Sequence, residues 1–325
     1  MKLATIGTSW ITEKFISAAK TVDDIKISAV YSRSEEKAAE FASKHGASLY
    51  FTDLNKMAES DAFDSIYIAS PNVCHYEQSK LMLEHGKNVI CEKPATTTLE
   101  QMKELIALAE SKNLAYCEAI MTIHTKGFNE IRSRLQTLGN IRSAHFDFCQ
   151  LSSKYPLFID GKNPNIFNPA MHTGCLMDIG VYNLYLTVGL FGMPEKIISD
   201  TVFLDNGCDA AGSSIFRYNN LSVAMNYSKV GQTYSYSEII GDKGTILFES
   251  VSQLTGMSFR HKEDNYEIIP ADVSRDEIMS GEIEFFKKVC EYKDFTDKDY
   301  IFAKNTAMGV REVCDIIRKE NNFMF

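Results

Sequence analysis

The 325-residue chain carries 34 Lys and Arg against 43 Asp and Glu, a formal net charge of −9 at pH 7. That balance argues against a general affinity for nucleic-acid backbones or anionic lipid. Hydrophobic residues at 45% and charged residues at 24% describe a globular protein with a full core, and the length suggests two domains.

No apolar run reads as long enough to cross a bilayer, so no membrane partner is expected. The opening Met1-Lys2-Leu3-Ala4-Thr5-Ile6-Gly7 reads as a strand and not as a signal peptide. The cysteines, at 74, 91, 117, 149, 175, 208, 290 and 314, form no Cys-x-x-Cys pair and no Cys/His cluster at zinc spacing. They read as reduced thiols of a cytoplasmic protein with no metal site.

Residues 1–120 alternate strands and helices. Strands are predicted at Leu3–Ile6, Ile25–Tyr31, Ser48–Phe51, Ser65–Ala69, Asn88–Cys91 and Leu114–Glu118. Helices are predicted at Trp10–Lys20, Glu35–Lys44, His75–His85 and Leu99–Lys112. This rhythm, with right-handed crossovers, predicts a doubly wound parallel sheet with helices on both faces.

From 121 to 325 the rhythm changes. A helix at Lys126–Leu138 leads into a strand at Ile141–Leu151, a loop over Tyr155–Asn168, and a helix at Leu176–Phe191. Strands then follow one another at Ile197–Leu204, Ser213–Tyr218, Leu221–Ser228, Tyr234–Gly241 and Gly244–Glu249, with Asn219-Asn220 as a tight hairpin turn. Helices at Asp276–Glu291 and Asp299–Lys319 close an α+β domain around a largely antiparallel open sheet, the last helix being able to pack back on the first domain.

Ligands of a doubly wound sheet sit outside the carboxyl ends of its strands. After the first strand, Gly7-Thr8-Ser9-Trp10-Ile11-Thr12 is a degenerate phosphate loop: only Gly7 remains of the three glycines, yet Ser9 permits close backbone approach and the helix amides suit a pyrophosphate. After the second strand, Ser32-Arg33-Ser34 lacks the acidic residue that holds a ribose 2′-hydroxyl. Arg33 suits a 2′-phosphate instead, which favours NADP over NAD. After the fourth comes Ser70-Pro71-Asn72-Val73-Cys74-His75, with Asn72 as a helix cap and Asn72 and His75 facing the crevice. After the fifth comes Glu92-Lys93-Pro94, where proline makes a rigid mount for one ammonium. A surface loop would also accommodate each of these segments singly.

Taken together with Gly174-Cys175-Leu176-Met177-Asp178-Ile179-Gly180-Val181-Tyr182, these motifs resemble the Gfo/Idh/MocA oxidoreductases over essentially the whole chain. Tyr182, where many relatives carry histidine, resembles the dimeric dihydrodiol dehydrogenase and D-xylose dehydrogenase branch, whose members use NADP. Thr173 departs from a glycine often found beside Gly174. The resemblance implies a Rossmann domain followed by a substrate-binding and dimerisation domain, and an enzyme moving a hydride between nicotinamide and a carbinol or carbonyl carbon of a sugar, polyol or cyclic diol. It also implies that Asp178 and Tyr182, four apart on one helix face, look across the crevice at Lys93.

Tyr182 is then the candidate proton donor and acceptor. A free tyrosine titrates near ~10, and a nearby ammonium favours its phenolate. Lys93 also suits a developing alkoxide, and a Lys93 proton carrier with Tyr182 positioning is the alternative assignment. Asp178 orients Tyr182 or a substrate hydroxyl. Structural roles are the default for His124 and His172, while Tyr155 and Asn165 are candidates to meet substrate. Two other readings remain: a non-catalytic NADP-sensing regulatory protein of the same fold, and glycosidic cleavage through transient oxidation. In Leu221–Ser228 the small residues Ser222, Ala224, Asn226 and Ser228 form a second face, through which the resemblance implies a homodimer.

Overall fold

The computed structural model describes residues 1–261, 265–272 and 274–325. The chain divides into two compact units, Met1–Ile120 with Ser274–Lys304, and Met121–Val273 with Asn305–Phe325.

The first unit alternates β1 (Lys2–Ile6), α1 (Trp10–Ala19), β2 (Lys26–Tyr31), α2 (Glu35–His45), β3 (Leu49–Phe51), α3 (Leu54–Ala58), β4 (Ser65–Ile68), α4 (Asn72–Glu84), β5 (Asn88–Glu92), α5 (Leu99–Ser111) and β6 (Tyr116–Ala119). Its six strands are all parallel, in the order β3-β2-β1-β4-β5-β6. Every residue of β4 is buried and β1 is buried after Lys2, as helices on both faces of a parallel sheet require. The strand order reverses between β1 and β4, which opens the crevice where such sheets take ligands. Helix α3 was not expected; Asp53 caps it, its carboxylate accepting from the Asn55 and Lys56 amides.

In the second unit, α6 (Lys126–Arg134) precedes β7 (Ile141–Cys149), the short α7 (Tyr155–Ile159), and α8 (Val181–Phe191) with a π-helical turn, Leu176–Gly180, in front of it. Strands β8 (Lys196–Phe203), β9 (Asp209–Arg217), β10 (Ser222–Ser228), β11 (Ser237–Gly241), β12 (Thr245–Phe248), β13 (Ser258–Arg260) and β14 (Tyr266–Ile268) follow. They and β7 form an eight-stranded sheet, β14-β13-β12-β11-β7-β10-β9-β8, antiparallel except where β10 joins β7. The Asn219-Asn220 hairpin is formed, with Tyr218 N donating to Leu221 O at 2.9 Å. Three differences from the sequence reading stand out. Residues Tyr155–Ile159 are helical, β9 begins at Asp209 and not Ser213, and β13 and β14 add to the sheet.

The chain closes with α9 (Arg275–Tyr292) and α10 (Lys298–Glu320). A full capping box at Ser274 and Glu277 starts α9. It lies along α1, where Ser17 Oγ donates to Asp276 Oδ2 at 2.8 Å. Helix α10 contributes its start, through Lys304, to the first unit and the remainder to the second.

By length and composition alone the stretch Pro169–Phe191 is long and apolar enough to cross a membrane, which the sequence reading did not pick out, but 72% of its most apolar window is buried inside the fold, as in a core helix.

Candidate active site

A cavity of about 330 Å³ opens at the carboxyl ends of β1, β2 and β4. Of the residues picked from sequence, Gly7, Thr8, Ser9, Ser32, Arg33, Ser70 and Pro71 line it. Gly7 has φ +112°, and a Cβ there would lie 2.7 Å from the Ala69 carbonyl oxygen, so only glycine lets β1 end this close to β4. Ser9 precedes α1, but its side chain caps no amide; its hydroxyl instead lies 3.4 Å from that of Thr12. The first amides of α1 are therefore left to an outside acceptor, as at an anion-binding helix start. Arg33 is exposed at the end of β2.

Trp10 and Ile11 form the first turn of α1 beside the cavity without lining it; the Trp10 ring lies 5.7 Å from the Arg275 guanidinium. Pro71, and not Asn72, occupies the cap position of α4, which begins at Asn72 without a side-chain cap. Cys74 and Gln78 also line the cavity and were missed: Cys74 was read only as part of the segment before the helix, and Gln78 lies inside the helix pattern, which gave no signal of a site. Gln78 accepts from Ser70 Oγ at 2.6 Å.

His75 does not line the cavity as expected. It is 1% exposed and spans two loops, with Nδ1 2.9 Å from Pro94 O and Nε2 2.7 Å from Ser70 O. Burial pulls its pKa down against the pull of those carbonyls, and the ring sits between the turns after β4 and β5.

Glu92 accepts from Tyr67 Oη at 2.5 Å, and Phe15 stacks on that tyrosine at 3.6 Å. Burial raises the Glu92 pKa, more than Tyr67 and the charges of Lys93 and Arg275 lower it. Lys93 is half-buried and joined to Pro94 by a cis bond. Just beyond, Ala95 N donates at 2.9 Å to Glu118 Oε1, on a residue only 7% exposed. His75 and Glu118 thus hold the segment that carries Lys93 from two sides.

In the second unit, Asp178 lies in the π turn and Tyr182 in the first turn of α8. Between Thr173 and Val188 these two alone escape full burial, so one half-buried line along an otherwise buried helix carries a carboxylate and a phenol. The expected shared face is present, although the helix enters it through a π turn, a feature frequent at functional sites. The Tyr182 ring meets Phe148 of β7, with centroids 5.7 Å apart. Asp178 Oδ2 pairs with Lys229 Nζ, the lysine side chain being 7% exposed. Sequence reasoning missed Lys229, since a lysine ending an alternating strand looks like a surface residue.

Tyr155 packs with Phe158 and Phe167, Asn165 is exposed, and His172 stacks on Phe325. His124 ends a short 3₁₀ turn.

Comparison with known proteins places these features in a family. The family model described as "Oxidoreductase family, NAD-binding Rossmann fold" matches residues 1–119, and the "GFO/IDH/MocA C-terminal domain" matches residues 128–247. The scyllo-inositol 2-dehydrogenase (NADP(+)) of Bacillus subtilis is 39% identical over 83% of this chain and 82% of its own. The human trans-1,2-dihydrobenzene-1,2-diol dehydrogenase is 27% identical over 74% of this chain and 72% of its own. A crystal structure of the 3-ketoreductase KijD10 from Actinomadura kijaniata, with NADP and TDP-benzene, has the same fold at TM-score 0.85 and 19% identity, over 98% of this chain and 97% of that one. The chain belongs to the Gfo/Idh/MocA family of oxidoreductases, with an N-terminal Rossmann unit of the NAD-binding type.

Proposed function

We propose that the protein is an NADP-dependent dehydrogenase or reductase acting on a CH–OH or carbonyl carbon of a polyhydroxylated small molecule such as an inositol, an aldose or a cyclic diol. One observation carries the cofactor choice: the cavity at the ends of β1, β2 and β4 is lined by Arg33 and, among the described residues, by no carboxylate. Three features fit a dinucleotide with a 2′-phosphate: the close backbone approach at Gly7, the uncapped start of α1, and a guanidinium at the end of β2. The inositol and dihydrodiol dehydrogenases among the relatives favour the substrate class.

The bound cofactor supplies the hydride acceptor or donor, and the chain supplies orientation and charge. In this reading Lys93 and Tyr182 act on the alcohol oxygen, one moving its proton and the other holding it. Asp178 positions a substrate hydroxyl or the phenol. Because Lys229 counters its charge, it can do so without strongly opposing negative charge on the reacting oxygen.

We also propose a homodimer through the open face of the second unit's sheet. One row across that face runs Ile198, Ile215, Ala224, His145, Glu238. The next runs Asp200, Ser213, Asn226, Asp147, tied by Ser213 Oγ to Asn226 Oδ1 at 2.7 Å and Asn226 Nδ2 to Asp147 Oδ1 at 2.8 Å. Apolar side chains beside a satisfied polar ladder suit burial against a second copy. All eight cysteines are free thiols, which favours a cytoplasmic location.

The test is steady-state turnover of a panel of inositols, aldoses and cyclic diols with NADP and with NAD. The reading expects turnover with an NADP preference; tight NADP binding without turnover across the panel would favour a nucleotide-sensing role instead.

A further inference from the structure

The helix carrying Asp178 and Tyr182 begins in a place that nothing in its own sequence prepares. Gly174, at φ +145°, precedes it, and no side chain at its first position caps it. The missing acceptor comes from β9. Asp209 Oδ2 accepts from Leu176 N at 2.6 Å, and the Cys175 amide also favours its charged form. The carboxylate reaches this far because Gly174 has no side chain: a Cβ there would lie 1.7 Å from Asp209 Oδ1. Asp209 itself is 1% exposed. On the neighbouring strand, Lys229 N donates to Ala210 O at 2.9 Å, which sets Lys229 beside Asp209 while its ammonium pairs with Asp178.

We propose that Asp209 is a positioning residue for the reaction, holding the amides at the start of the π turn and, with Lys229, fixing where Asp178 and Tyr182 stand. This rests on the oxidoreductase reading above. The geometry is a cycle: β9 carboxylate to helix start, helix carboxylate to lysine, lysine to the strand beside β9. A carboxylate at the first amides of a helix also opposes the positive end of its dipole. Burial raises the Asp209 pKa to about 6, with the three amides and Lys229 pulling it back. The titratable groups facing it are Lys229, the Cys175 and Cys208 thiols, and the Tyr227 phenol, with Asp178 beyond the lysine. Those thiols and that phenol are all pushed upward, away from the range near pH 6 where the Asp209 carboxyl changes charge.

The experiment compares wild type, Asp209→Asn and Gly174→Ala. Asparagine keeps an acceptor for the Leu176 amide and removes the charge; Gly174→Ala drives the carboxylate from its seat without touching it chemically. Wild-type kcat is expected to fall on acidification through about pH 6. Asp209→Asn is expected to lose that limb. Its kcat at neutral pH should be about tenfold lower and that of Gly174→Ala about a hundredfold lower, with the KM for NADP changed less than about threefold. Hydrogen exchange in the peptide spanning 175–182 should rise in both variants and stay unchanged in β7 and β10. Wild-type kcat, an intact acid limb and unchanged exchange in the asparagine variant would overturn the proposal. If Gly174→Ala does not fold, the asparagine variant alone decides. A wild type that binds NADP but turns over nothing counts against the oxidoreductase reading, while the exchange measurement still decides whether Asp209 holds the helix start.

Discussion

The Lys229 ammonium is buried against the Asp178 carboxylate, so the acid on the half-buried line of the helix carries its own counter-charge. Removing one partner of a buried pair leaves the other charge uncompensated, at a cost of about 3–5 kcal/mol when both are fully buried. Asp178 is 27% exposed, so Lys229→Met should cost less, about 1–3 kcal/mol by urea denaturation. Turnover should fall by more than stability alone explains, because Asp178 loses its fixed orientation. A variant with wild-type kcat would show that the pair is only structural.

Arg33→Ala should separate the two cofactors. A charge-assisted hydrogen bond contributes about 1.5–3 kcal/mol, so the KM for NADP should rise about 10- to 100-fold while the KM for NAD stays within about threefold. Parallel loss with both cofactors would place the arginine away from the 2′-phosphate.

Gly7→Ala tests the close approach of β1 to β4. Its Cβ would meet a backbone oxygen at 2.7 Å, and φ +112° is strained for any L-residue. Together these should cost about 2–4 kcal/mol, seen as a lower thermal midpoint, with cofactor affinity falling further still.

Asp209 makes a pH prediction with a definite sign. Its folded pKa of about 6 lies above the ordinary carboxylate value, so the native state holds more protons than the unfolded chain between about pH 4 and 6. The stability it contributes is present at low pH and is lost as pH rises through about 6. A carboxyl held this far above its ordinary value makes a difference of about 2–3 kcal/mol across that range. Asp209→Asn should therefore gain on wild type by roughly that amount between pH 4 and 8, measured as the difference in denaturant midpoints. A charge kept at a stability cost is what a positioning role requires; a difference that is flat with pH would remove this support.

The open sheet face predicts association. Ile215 is 43% exposed and Ile198 45% exposed, paired across β8 and β9. Sedimentation should give a dimer at micromolar concentration, and Ile215→Lys should shift it to monomer with cofactor binding retained. A monomeric wild type would contradict the assembly.

Much of this was legible because strand ends are where a doubly wound sheet must bind. Gly7, Ser32, Arg33, Ser70 and Pro71 were readable from their positions alone, and all line the cavity. Lys229 and Asp209 were not: one resembles a strand-ending surface lysine, the other a turn residue after Asn206-Gly207. Their meaning comes from pairing between β9, β10 and the helix start, which no local pattern encodes. The π turn is hidden for the same reason, since the helix start is set by a carboxylate 33 residues away in sequence. Strands β13 and β14 are three residues each, too short for alternation to register. His75 read as a site residue because it closes the segment after the fourth strand, while in the fold its ring is buried with its two nitrogens against backbone carbonyls.

The most direct test of the central claim is single-turnover reduction of NADP by a polyol or diol that wild type oxidises, compared among wild type, Lys93→Ala and Tyr182→Phe. Each variant should lose about a hundredfold or more of the rate while binding NADP within about threefold of wild type. Rates within about twofold of wild type in both variants would contradict the account.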